Sequence, residues 1–214
     1  MSHMKKYSLV FLLLLIVTAM TNAQQKSPVG TYLLQGVREM ASGFELKADS
    51  TFEFFFSYGA LDRYGKGKWK QQGNKIIFNS SPHQGKDFKL TDSSKKDGAF
   101  IFLQFDLKNP VLNNYIYAYS GKLKNDEYPV RANGSGLIKL PVTTDSIHVL
   151  FEFVPERESV FSLNTKNFNH FTFTLEPWIT DVYFIYFSLT LADNKLEGKH
   201  PLITKEHCEY VKEN

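Results

Sequence analysis

The sequence predicts an all-β protein made of two successive β units, and three observations predict it. Helical patterning is weak: no stretch after the N-terminal segment combines apolar residues at i, i+3, i+4 and i+7 with a capping residue. Apolar–polar alternation, the period of a half-buried strand, recurs from Phe44 to Leu191. Clusters of Gly, Asn, Asp and Ser punctuate those runs at the short spacing of a sandwich or barrel, not of a parallel α/β sheet.

The chain opens with Met1-Ser2-His3, which reads as a cloning scar, and a natural start at Met4. Lys5 and Lys6 precede an apolar run, Leu9 to Val17, and Thr21-Asn22-Ala23 follows it. Charge, apolar run and a small-residue site in that order predict a secretory signal over residues 1–23. The run is shorter than the roughly 20 residues a bilayer span needs, so no membrane span is expected after cleavage. The expected product is exported from a bacterium, into the periplasm or the medium. Removing Lys5 and Lys6 lowers the net charge from +3 to +1. With no basic stripe, that balance argues against a nucleic-acid partner. Cys208 is the single cysteine, so packing and not a disulfide must hold the fold. The 19 Phe and 11 Tyr supply that packing area.

Phe44-Glu45-Leu46-Lys47, a turn at Ala48-Asp49-Ser50, and Thr51 to Phe56 predict a hairpin. On its second strand Phe52, Phe54 and Phe56 share the core face and Phe55 lies opposite. Gly67 to Lys70, a turn at Gln71 to Asn74, and Lys75 to Phe78 extend this into an antiparallel meander. The polar stretch from Ser80 to Gly98 is read as the boundary, placed near Lys95. The expected units are therefore residues 24–95 and 96–214. In the second, strands are expected at Phe100–Phe105, Tyr115–Tyr119, Ile147–Phe153, His170–Leu175 and Tyr183–Leu191. The stretch Val182 to Phe187 is apolar on both faces, which fits either a strand buried between the two halves, the favoured reading, or an exposed surface that meets a partner.

Gly30-Thr31-Tyr32, Phe44-x-Leu46-x-x-Asp49-x-Thr51-Phe52 and Gly65-x-Gly67-x-Trp69 together resemble the strand grammar of lipocalin-like (calycin) domains. Tyr32 stands where that pattern has Trp, and Ser50 where it has Gly. The resemblance covers about residues 28 to 92 and implies a calycin-like meander or partial barrel with a small-molecule pocket. Tyr115 to Tyr119, Ala132 to Pro141 and Ile147 to Phe153 resemble a transthyretin-like (prealbumin) β-sandwich, with Asn133 in place of the usual Asp. That resemblance implies a binding, adhesive or accessory module.

One segment, Ser57 to Gly65, is not explained by strand patterning alone. Gly59 and Gly65 permit unusual backbone angles, and Tyr58, Asp62, Arg63 and Tyr64 carry two phenols, a carboxylate and a guanidinium between them. In one reading the tyrosines wall a pocket while Asp62 and Arg63 orient a polar ligand. In the other, Asp62 caps the turn and the tyrosines pack on the sheet edge. Among the histidines no pair has metal-ligand spacing, and His148 falls out of phase with Ile147, Val149 and Phe151 on the solvent face. No metal or cofactor is expected. No Gly-x-Ser-x-Gly elbow is present, which argues against serine chemistry on an α/β fold. Three functions stay open: non-enzymatic binding of a small molecule or glycan at the Tyr58–Gly65 end, a structural or protein-interaction module, and a hydrolase pairing Asp62 with Glu39 or Glu53.

Overall fold

The computed structural model describes residues 27–124, 126–141, 145–205 and 207–213, so the expected signal segment lies outside the described residues. The first five strands are β1 (Gly30–Leu34), β2 (Met40–Leu46), β3 (Thr51–Tyr58), β4 (Leu61–Gln72) and β5 (Lys75–Asn79). They form the meander that alternation predicts. The β2–β3 hairpin carries Ser50 at φ 63°, the left-handed conformation that explains why the calycin pattern has Gly there. Asp49 accepts from the Thr51 amide at 2.9 Å, and the Trp69 indole donates to the Lys47 carbonyl at 3.1 Å. Tyr32, in the usual tryptophan position, is buried and donates its hydroxyl to Pro28 O at 2.8 Å.

Eight further strands follow before the meander resumes: β6 (Phe88–Ser94), β7 (Phe100–Phe105), β8 (Ile116–Ser120), β9 (Val130–Arg131), β10 (Leu137–Pro141), β11 (Ser146–Phe151), β12 (Glu158–Ser162) and β13 (His170–Leu175). They make two four-stranded sheets, β10-β7-β13-β6 and β12-β11-β8-β9. Ile101, Leu103, Phe105, Ile147, Val149, Phe171 and Phe173 fill one core between them.

The last strands, β14 (Phe187–Ala192), β15 (Lys195–Gly198) and β16 (Cys208–Lys212), return to the meander. The result is a closed eight-stranded antiparallel barrel of order β1-β16-β15-β14-β5-β4-β3-β2, compatible with a lipocalin-like fold. Closure is made by the pairing Tyr32↔Lys212, Leu33↔Val211 and Leu34↔Tyr210.

This pairing divides the chain differently from the expected boundary at Lys95. β6, placed at the end of the first unit, pairs with β13 in the second. The sandwich does not follow the barrel but is inserted into it, between β5 and β14. The reason is physical: the polar stretch from Asp92 to Gly98 is the end of β6, paired to β13, and the connection to β7 within the sandwich, and a barrel needs a partner for its first strand that local alternation cannot name.

The barrel interior is packed with rings. Phe44 lies 4.7 to 6.5 Å, centroid to centroid, from Phe52, Phe54, Phe78, Phe184, Phe187 and Tyr210. Side chains therefore occupy the place where the calycin resemblance implies a ligand. Phe184 does not come from a barrel strand. It belongs to residues 182–186, which run alongside β4 and push that one ring into the barrel. Val182 N donates to Tyr64 O at 2.8 Å, and Ser80 N to Phe184 O at 2.7 Å. Gly65 is required at this crossing, because a Cβ there would lie 2.7 Å from the Phe184 ring and 2.8 Å from Val182 O.

Candidate functional site

The segment Ser57 to Gly65 is a tight hairpin and not a loop. Tyr58 pairs with Leu61 across the two-residue turn Gly59-Ala60. Gly59 has φ 60°, and glycine in the first turn position suits a two-residue hairpin. Alternation then decides the fate of the four singled-out side chains. Arg63 points inward at the end of the barrel and is 2% exposed. Its guanidinium meets the Glu156 carboxylate of the β11–β12 loop through both terminal nitrogens, and its Nε donates to Thr180 O at 3.2 Å. Arg63 is thus a clamp between barrel and sandwich. Asp62 is exposed on the outer wall opposite Ser57. Tyr58 is exposed at the hairpin tip. Tyr64, 63% exposed, faces outward into a cleft that Glu53 and Asp181 also line.

That cleft is one of three around the junction of the two units, where the irregular segments linking them (residues 80–87 and 176–186) pass side by side. The first, of about 240 Å³, is lined by Tyr64, Glu53, Lys66, His83, Asp181 and Tyr183 among others. The second, of about 560 Å³, lies beside Arg157, Phe187, Lys199, His200 and Leu202. The third, of about 480 Å³, is bounded by His83, Asp87, Arg157, Glu158 and Trp178. Tyr183 lines all three.

The junction is rigidly built. Arg157 makes a bidentate pair with Asp87 at 2.8 and 3.1 Å and donates to the carbonyls of Ile179 and Asp181. Such forked pairing fixes geometry as well as charge. The Arg157 guanidinium also lies 5.1 Å from the Tyr183 ring centroid, a cation–π distance. His83 stacks on Trp178 at 4.5 Å and lies 3.8 Å from the Asp181 carboxylate. Burial pushes the Tyr183 phenol up, with the Asp181 charge adding to the effect. The junction thus offers aromatic walls with a few oriented polar groups. Among the residues lining these clefts, the sequence signals Tyr64 as a ligand-binding candidate and Glu53 as a candidate carboxylate. Tyr183 falls in the apolar stretch expected to be buried, and the Glu156-Arg157 pair sits in a short strand connection with no motif.

Two serine–histidine pairs also bear on chemistry. Ser42 Oγ lies 3.2 Å from His200 Nε2, both buried. His200 Nδ1 accepts from Leu202 N at 3.0 Å, so its proton is on Nε2 and points at Ser42. Ser42 Oγ in turn donates a hydrogen bond to Phe55 O at 3.0 Å. A ring nitrogen that already carries hydrogen cannot take the serine proton, so this pair is a structural relay. On the outer face of the sandwich, Ser146 Oγ lies 3.3 Å from His148 Nε2, and Glu158 lies 3.1 Å from Nδ1. Burial opposes it, but hydrogen bonds from Tyr119 and His148 hold the Glu158 carboxyl below its usual range. This row has nucleophile–base–acid connectivity, yet none of the three clefts reaches Ser146 or His148. It is what outward positions on three neighbouring strands present.

His148 is therefore outward-facing, as its phase predicts, and stacks on Tyr119 at 4.4 Å. His207 is exposed while Cys208 is buried, the opposite faces expected of strand neighbours. Among the described residues no group of three or more His, Cys, Asp or Glu side chains is placed to hold a metal ion. The apolar stretch Val182 to Phe187 divides: Phe184 enters the barrel, whereas Ile185 and Tyr186 are largely exposed. Comparison with family models, with curated proteins and with solved structures finds no match to this chain.

Proposed function

We propose that the protein is an exported, non-enzymatic binding module, a calycin-like barrel carrying an inserted transthyretin-like sandwich, whose ligand sits in the cleft between Tyr64 and Tyr183. The observation that supports this is the convergence of three clefts on Tyr183, beside side chains fixed by the Arg157–Asp87 pair. A rigid scaffold presenting aromatic walls and few polar groups is the physical description of a binding site. The filled barrel interior moves the site from the inside of the barrel to its outer wall. Of the four hairpin side chains only Tyr64 lines that cleft. A ligand would lie against Tyr64 and Tyr183, with Glu53, His83 and Asp181 available as hydrogen-bonding groups.

A thermal-shift screen of metabolites and short glycans tests this on the wild type and on Tyr64→Ala, His83→Ala and Asp62→Ala. Bound ligand raises the unfolding temperature by mass action. The expected result is a shift that falls in Tyr64→Ala and His83→Ala and persists in Asp62→Ala. A shift kept in full by both cleft variants would place the ligand elsewhere.

A further inference from the structure

The cleft beside Tyr64 is the end of a longer track across the outer barrel wall. Strand register aligns two parallel rows there. One row runs Leu33↔Gly43, Gly43↔Phe55 and Phe55↔Tyr64 across β1 to β4. Alternation puts all four on the outer face, since Tyr32, Phe44, Phe54 and Arg63 point inward. Gly43 leaves no gap in the row: a Cβ there would lie 2.8 Å from the Phe55 ring and 2.9 Å from Leu33, so these two side chains already close over it. The next backbone after β4 is the linker at Val182, bridged to Gly65, which sets Tyr183 beside Tyr64.

The second row runs Thr31↔Glu45, Glu45↔Glu53 and Glu53↔Lys66. Lys47 lies between the carboxylates, 3.8 Å from Glu45 and 2.5 Å from Glu53. Both rows enter the same cleft, because Glu53, Tyr64 and Lys66 all line it. Strands about 4.8 Å apart make the crossing from β1 to β4 about 14 Å long.

We infer that the track binds an extended neutral oligosaccharide, lying along the apolar row with its hydroxyls on the polar row and one end in the Tyr64–Tyr183 cleft. This rests on the binding reading above and names the ligand class for the same site. A pyranose ring has a flat C–H face that stacks on aromatic rings and a rim of hydroxyls that both donate and accept. The polar row answers that rim with carboxylates and ammonium groups whose formal charges cancel, Glu45 and Glu53 against Lys47 and Lys66. That cancellation disfavours a nucleic acid or anionic lipid, which need a surplus of cations. A peptide adding as a strand needs an open sheet edge, and the closed barrel has none.

The test is calorimetric titration of the wild type with cello-, chito- and manno-oligosaccharides from the disaccharide upward. In at least one series affinity should rise with length by about tenfold overall. Phe55→Leu keeps the wall apolar but removes the ring. It should abolish the gain with length and leave disaccharide affinity within about twofold. Tyr64→Ala should weaken every length. Folding of each variant is checked by its unfolding midpoint. Disaccharide binding without any gain from added sugars, or a gain untouched by Phe55→Leu, overturns the track and leaves the cleft standing. If no series binds, the saccharide assignment is wrong, while the metabolite screen still judges the cleft on its own.

Discussion

At the level of single residues, burial has turned ordinary side chains into structural devices. Arg63 looked like a ligand-orienting group because it is charged and sits beside glycines. Strand parity instead points it inward, where Glu156 and the linker carbonyls engage it. His200 is the clearest electrostatic case. Burial lowers its pKa from 6.5 to about 4, so the folded protein holds it neutral, and its ring bridges Leu202 and Ser42. A histidine whose folded pKa is depressed binds its proton more readily when unfolded. Stability is therefore full above pH 6.5 and falls as the pH drops toward 4. The shift corresponds to about 3 kcal/mol across that window. Urea unfolding of the wild type should show this loss, and His200→Gln should show a visibly flatter profile between the same limits. Equal slopes for both proteins would mean that His200 titrates as if exposed.

At the level of elements, the decisive piece is the linker segment 182–186. It places two buried side chains, Val182 and Phe184, in the barrel core from outside the paired strands. Alternation could not reveal it, because Val182 to Phe187 is apolar throughout and reads equally as a buried strand. The structure splits that stretch: Phe184 packs 5.2 Å from both Phe52 and Phe54, while its neighbours Ile185 and Tyr186 stay outside. Gly65 is the local trace of this arrangement, visible in the sequence but interpretable only once the crossing is known. Phe184→Ala removes a fully buried ring from the aromatic core of the barrel, and such truncations cost about 3–5 kcal/mol. The same change should loosen the linker on which Tyr183 sits. Chemical denaturation would register the lost stability, and an unchanged midpoint would mean that Phe184 is a lid and not part of the core.

At the level of the whole molecule, the hairpins were legible in the sequence because their partners are neighbours. Phe44 with Phe54, and Trp69 with Phe78, pair across short turns whose residues announce them. The closure was not legible, because β1 pairs with β16 across the entire inserted sandwich. Nothing in the alternation of Cys208 to Lys212 says that Tyr210 belongs beside Leu34. The cleft was hidden for the same reason: Tyr64 and Tyr183 meet only because the chain leaves the barrel and returns through one junction. The two cores are separate clusters, one from Phe88 to Ile179 and the other from Tyr32 to Tyr210. Each has its own packed interior, so they should respond differently to loss of the last strand. Deleting residues 207–214 removes the partner of both β1 and β15 and leaves an open sheet with its aromatic interior exposed to water. Hydrogen exchange should then show protection lost over residues 30–79 and 187–198 and retained over residues 100–175. Loss of protection in both units together would show that the Arg63–Glu156 and Arg157–Asp87 clamps bind them into one cooperative structure. In that case the junction would carry stability as well as the ligand, and substitutions at Arg63 would change binding through the fold.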